Sequence, residues 1–217
     1  MNIAAWIFDM DGVIVDTNPF HKQAWMRYAR QLGKHITEAW MHEHVYGRIN
    51  KEALTALLGS VPDDEELRQH TEAKEALFLD SYRDHVAMVP GLRSVLVQGK
   101  EAGIPMAVAT SAPRMNVEFI FEALGLEAFF PVVIDDQMVT KGKPDPEIYL
   151  LTADQLGIPP AQCLVFEDSF SGVNAGLAAG MAVIALSTTH SPDEFRGVEH
   201  TMRDFTAFSL SEWFSRP

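Results

Sequence analysis

The chain of 217 residues has one cysteine, so it cannot close an internal disulfide and its core must be held by packing. Basic residues are few: 17 Lys and Arg stand against 30 Asp and Glu, a formal charge of -13. No Lys/Arg cluster offers the footprint that nucleic acid or an anionic membrane surface selects, and neither is an expected partner. No apolar run approaches the roughly 20 residues that span a bilayer. The N-terminal Met-Asn-Ile-Ala-Ala-Trp lacks a basic segment followed by an apolar run and a cleavage site. A reduced, cytoplasmic protein is expected, as a monomer or small homo-oligomer. An acidic protein can act on an anion only where metal, cations or backbone N–H groups locally overcome its field.

Hydrophobic residues make up 47% of the chain and are unevenly arranged. Short apolar runs at Ile3–Phe8, Ile104–Ala109, Val132–Ile134, Cys163–Phe166 and Met181–Leu186 are bounded by turn residues. They read as parallel strands buried on both faces. Helical patterns separate them at Leu92–Ala102, Arg114–Leu124, Pro146–Leu156 and Gly172–Ala179. Alternation of this kind predicts an α/β fold, a doubly wound, Rossmann-like parallel sheet. Cys163 begins one of the apolar runs and reads as a buried structural thiol.

From Thr17 to Arg83 the rhythm breaks and only helical spacing is seen: Phe20, Ala24, Tyr28 and Leu32 share one face, and Leu54, Leu57 and Leu58 form another stripe. An inserted all-helical cap over residues 17–83 is expected, with the core formed by 1–16 and 84–217. Two nearby linkers, Val15–Pro19 and His85–Gly91, would let it close like a lid. Phe205, Phe208, Leu210, Trp213 and Phe214 predict a terminal helix packed on the sheet.

Polar groups collect at the carboxyl ends of the predicted strands, where open α/β sheets bind ligands. Asp9 and Asp11 follow the first, two residues apart, so an extended backbone would point them the same way. Thr110 and Ser111 follow the second, Lys143 lies in Lys141-Gly142-Lys143-Pro144, and Glu167 and Asp168 follow Cys163–Phe166. Each alone reads equally well as a cap or a solvated loop residue, but their convergence on one sheet edge points to chemistry.

These motifs, Asp9-Met-Asp-Gly-Val-Ile-Val-Asp-Thr17, Ala109-Thr-Ser111, Gly142-Lys-Pro-Asp-Pro146 and Phe166-Glu-Asp-Ser-Phe-Ser-Gly172, resemble in type and order those of the haloacid dehalogenase superfamily. The resemblance covers nearly the whole chain and is strongest to the small-cap branch of β-phosphoglucomutase and sugar-phosphate phosphatases. It implies Asp9 as nucleophile and Asp11 as general acid and base, a role that favours a carboxyl pKa raised toward neutrality. It implies Mg²⁺ held by the Asp9 carboxylate, the Asp11 carbonyl and Asp168, with Glu167 contributing directly or through water. Thr110, Ser111 and Lys143 would bind the phosphoryl group.

In the cap the resemblance implies His21 near the general acid/base and Lys74 reaching substrate. Asn50 stands where the mutases carry an arginine for a second phosphate, while Arg48 beside Gly47 follows the phosphatase pattern. Losing that arginine favours hydrolysis of a small phosphorylated substrate over a β-phosphoglucomutase-type transfer. A response-regulator receiver would share the residue types, but there the acidic pair precedes the acceptor and no helical insertion follows the first strand.

Overall fold

The computed structural model describes residues 3–210. Six strands form one parallel sheet in the order β3-β2-β1-β4-β5-β6. They are β1 (Ala5–Phe8), β2 (Met106–Ala109), β3 (Val132–Ile134), β4 (Cys163–Glu167), β5 (Ala182–Leu186) and β6 (His200–Met202). Helices α5 (Leu92–Glu101), α6 (Arg114–Leu124), α7 (Glu147–Leu156) and α8 (Phe170–Ala178) connect them. This is the doubly wound α/β architecture expected from the sequence. The order reverses at β1, between β2 and β4, which places a ligand crevice beyond the carboxyl ends of β1 and β4.

Side-chain parity explains the two layers, because successive residues of a strand face opposite sides. Trp6, Phe8, Val108, Leu164, Phe166 and Ile184 pack on one side with Leu92, Leu96 and Ile120 of α5 and α6. Ala5, Ile7, Ala109, Val165 and Val183 pack on the other with Ile148, Tyr149 and Val173 of α7 and α8. The central strands β1 and β2 are therefore apolar along their runs, as is β4 up to its terminal Glu167, and Cys163 is fully buried with its thiol pushed up to about 11 by burial.

Between β1 and α5 lie four helices, α1 (Asn18–Gln31), α2 (Glu38–His44), α3 (Asn50–Leu58) and α4 (Asp64–Tyr82). They hold an apolar cluster of their own, with Trp25, Tyr28, Met41, Leu54 and Leu57 buried. Asp63 starts α4 with a reciprocal capping box to Glu66. Phe78 and Tyr82 of α4 continue into the sheet-side cluster, so the helical segment and the sheet share packing.

Two features depart from expectation. The sheet has a sixth strand, β6, which leaves no apolar run in the sequence because His200-Thr-Met202 is a short, partly exposed edge strand. Phe205 and Phe208 do pack on the sheet face, against Phe8 and Phe166, but from a turn; helical backbone begins only at Leu210, which packs on the same cluster. Trp213 and Phe214 lie outside the described residues.

Gly99 of α5 is crossed so closely by the Trp6 indole that a Cβ there would overlap the ring. Gly99→Ala is expected to cost about 1–3 kcal/mol through overpacking, read as a lowered midpoint in urea denaturation.

Candidate active site

The carboxyl ends of β1 and β4 carry Asp9 and Glu167, joined by Lys143 from the loop before α7. The Lys143 ammonium donates to Asp9 Oδ1 at 2.8 Å, to Glu167 Oε1 at 2.6 Å and to the Ala109 carbonyl at 3.2 Å. All three side chains are buried. The Glu167 carboxylate is heavily committed. Its Oε1 also accepts from the Tyr149 hydroxyl at 2.9 Å, and its Oε2 accepts from Asp168 N, Ser169 N and Ser169 Oγ at 2.8, 3.0 and 3.1 Å.

Asp168 Oδ2 accepts from Asn18 Nδ2 at 2.9 Å, from Thr188 Oγ1 at 3.2 Å and from Thr189 Oγ1. Gly12, in left-handed backbone, lies against this carboxylate, where any Cβ would overlap it. One carboxylate oxygen each from Asp9, Glu167 and Asp168 lie within 4.8 Å of one another. Three carboxylates against the single Lys143 ammonium leave two excess negative charges, the amount a divalent cation cancels. Burial pushes Asp9 up to about 8; Lys143 opposes that, while Glu167 and Asp11 add to it. Asp168 is likewise driven well up by burial and by Glu167 and Asp9. An all-oxygen, over-acidic set of this kind suits a hard cation.

Asp11 faces the helical segment. Its Oδ1 accepts from Thr17 Oγ1 and lies 3.4 Å from His21 Nε2. Lys74 Nζ is 3.0 Å from His21 Nδ1. An ammonium has only donors, so Nδ1 accepts and the ring proton sits on Nε2, toward Asp11. Burial pushes the Asp11 carboxyl up, but His21, Thr17 and Lys74 together outweigh it and hold the group below its ordinary value. The raised Asp11 pKa that its expected role favours is not met in this arrangement, because Thr17 and His21 both meet Oδ1 of the carboxylate.

The remaining candidates fall on the same cleft. Asp9, Asp11, His21, Arg48, Asn50, Lys74, Ser111 and Asp168 all line it. Thr110 is fully buried behind it, its hydroxyl accepting from Ala112 N at 3.1 Å. Ser111 Oγ donates to the Gly47 carbonyl at 3.1 Å, and Ser171 Oγ to the Tyr46 carbonyl at 3.1 Å. Two sheet-side serines thus fasten the loop before α3. Arg48 lies 3.6 Å from Glu52 at the rim, and Asn50 donates to Glu75 Oε1 at 2.8 Å. Sequence reasoning assigns no role to Asn18, Thr188 and Thr189 around Asp168, to Tyr149 beneath Glu167, or to Glu75 and Asn116. Thr17, Ser169 and Ser171 do carry a signal, since they lie inside the first and fourth motifs.

A parallel α/β sheet with buried carboxylates and a lysine at its switch point, roofed by helices, defines an enzyme of the phosphatase class. Comparison with known proteins agrees: residues 3–180 match the haloacid dehalogenase-like hydrolases, and the chain belongs to that family. It is 36% identical over 205 residues to the phosphorylated carbohydrates phosphatase of Thermotoga maritima, covering 92% of this chain and 87% of that protein. It is 31% identical over 191 residues to the β-phosphoglucomutase of Bacillus subtilis, covering 84% and 82%. Among solved structures, a family IA, variant 3 hydrolase of Entamoeba histolytica superposes with a TM-score of 0.86 at 27% identity, covering 98% of both chains. Among the described residues no helix is long and apolar enough to cross a membrane.

Gly172, in the first turn of α8, lies directly against Glu167, so that a Cβ would fall on its carboxylate. Gly172→Ala should displace Glu167 from Lys143 and lower phosphate release by about 10-fold or more, with a lowered denaturation midpoint as the accompanying measurement.

Proposed function

We propose that the protein is a Mg²⁺-dependent phosphohydrolase of a small phosphorylated metabolite, by class a sugar phosphate, working through an aspartyl-phosphate. The observation that carries this reading is a buried Asp9 on Lys143, beside Asp168, with Asp11 and its two donors across the cleft.

The Asp9 carboxylate attacks phosphorus in line, and the bond to the substrate alcohol oxygen breaks. Approach of the anionic phosphate raises the Asp11 carboxyl from the low setting of the free site, so Asp11 enters the step protonated and gives that oxygen its proton as it leaves. The resulting carboxylate takes a proton from water, which attacks the phosphoryl group and frees inorganic phosphate and Asp9. His21 Nε2–H and Thr17 keep Asp11 pointed at the reacting atoms. Lys143 neutralises charge on Asp9 and on the phosphoryl oxygens, and Ser111 lines the phosphoryl side with Thr110 behind it.

Mg²⁺, held by Asp9, Asp168 and the Asp11 carbonyl, would supply positive charge against the phosphoryl oxygens and restore ionisation of the raised carboxyls. Glu167 would contribute through water, because both its oxygens already accept from protein donors. The helical block over 17–83 would act as a cap on the 1–16 and 84–217 core, with His21, Arg48, Asn50 and Lys74 reading the leaving group.

A mutase of the kind named for the Bacillus subtilis relative must keep a second phosphate bound during turnover. Asn50, in the place of the mutase arginine, has its amide committed to Glu75, which favours hydrolysis. A panel of sugar phosphates with Mg²⁺ should release inorganic phosphate; conversion of β-glucose 1-phosphate to glucose 6-phosphate without release would overturn this choice, and if neither reaction occurs both readings fail. Asp9→Asn, nearly isosteric, should lower turnover by roughly 10³-fold or more with an unchanged circular dichroism spectrum. Asp168→Ala should raise the half-saturating Mg²⁺ concentration by about 10-fold or more, followed by metal titration of activity and by calorimetry.

A further inference from the structure

Glu75 has no step in the proposed reaction, yet it is fully buried where the helical segment meets the sheet. Its two oxygens are used differently. Oε1 accepts from Asn50 Nδ2 and Lys74 Nζ, both at 2.8 Å and both within the helical segment. Oε2 accepts at 2.8 Å from Nδ2 of Asn116, in the first turn of α6 on the sheet side. Asn116 is also fully buried. A buried carboxylate is costly unless its lone pairs are met, so Glu75 is fully satisfied only when the two parts are together.

The consequence reaches the cleft. Lys74, buried and 5.0 Å from the centre of the Trp25 ring, is held on one side by Glu75 and meets His21 Nδ1 on the other. Lys74 has no other anionic partner within ion-pair distance among the described residues.

We propose that Glu75 is a positioning residue: docked on Asn116, it locks the cap against the core and holds Lys74 in place over His21 and the cleft. Its relevance to turnover rests on the phosphohydrolase reading, while the docking itself does not. Buried ion pairs are weak evidence for stability by themselves. What distinguishes this one is the division of its two oxygens between the two sides of the interface.

That division sets the test. Asn116→Asp places two carboxylates face to face. Adding Glu75→Gln restores a donor–acceptor pair of reversed polarity, and the carbonyl of the introduced glutamine still accepts from Asn50 and Lys74. Glu75→Gln alone removes the counter-charge of Lys74 but keeps the contact across the interface, because the Asn116 Oδ1 has no partner and its amide can turn over to accept; its exchange over that interface should stay near wild type, and it is the reference for the double variant. In N116D, hydrogen exchange over residues 45–49 and 111–117 should quicken about 10-fold while β1 and β4 keep their protection. Its kcat/KM on the best panel substrate should fall about 10- to 100-fold. E75Q/N116D should recover both to near the E75Q values.

Wild-type exchange in N116D, or no recovery in the double variant, overturns the proposal. Recovery through a substitution on the opposite side of the interface is not a result that lost packing around Asn116 could give. The exchange measurement needs no substrate, so it decides the docking even if the wild-type chain releases no phosphate, a result that would instead remove the function on which the catalytic part rests.

Discussion

The Lys143 ammonium is the contact around which the site is assembled. It comes from a loop, far along the chain from β1, and is buried against two carboxylates from two adjacent strands. Without it, Asp9 and Glu167 would face one another as like charges at the ends of paired strands in a low-dielectric interior, with no cation between them. With it, Glu167 becomes a fixed hub that orders Tyr149, Ser169 and the start of α8. The strand-order reversal at β1 then gives Asp9 an open face toward the cleft, so topology and electrostatics converge on one atom group.

A second set of charges answers the first from the helical side. Glu75, Lys74, His21 and Asp11 form a line of alternating hydrogen-bond acceptors and donors in which each member's polar atom meets the next. Asp11 is held low by donors, whereas Asp9 is pushed high by burial. Two carboxylates separated by a single residue therefore have opposed electrostatic settings, the division expected of groups with different tasks. One is governed by the sheet and the other by the helices above it.

Much of this is legible in the amino-acid sequence. The five apolar runs and the four helices between them are readable because parallel strands buried on both faces leave an uninterrupted apolar signature; β6, short and polar at the edge, leaves none. Asp9, Asp11, Lys143, Glu167 and Asp168 are readable because each follows a strand that ends at the same edge. Glu75 and Asn116 are not, since an acid and an amide inside amphipathic helices look like solvated surface positions until the two helices are seen to meet. The low setting of Asp11 is hidden for the same reason: it depends on His21 and Lys74, whose approach to one another is a tertiary fact.

The buried position of Cys163 has a practical side. It is the sole sulfhydryl of the chain, it lies within β4, and its ionisation is suppressed. The folded protein is thus chemically silent to thiol reagents. A cysteine introduced at an exposed position of α2 or α7 would be the sole accessible attachment point, so a spin label or dye placed there reports on one location without any background to subtract.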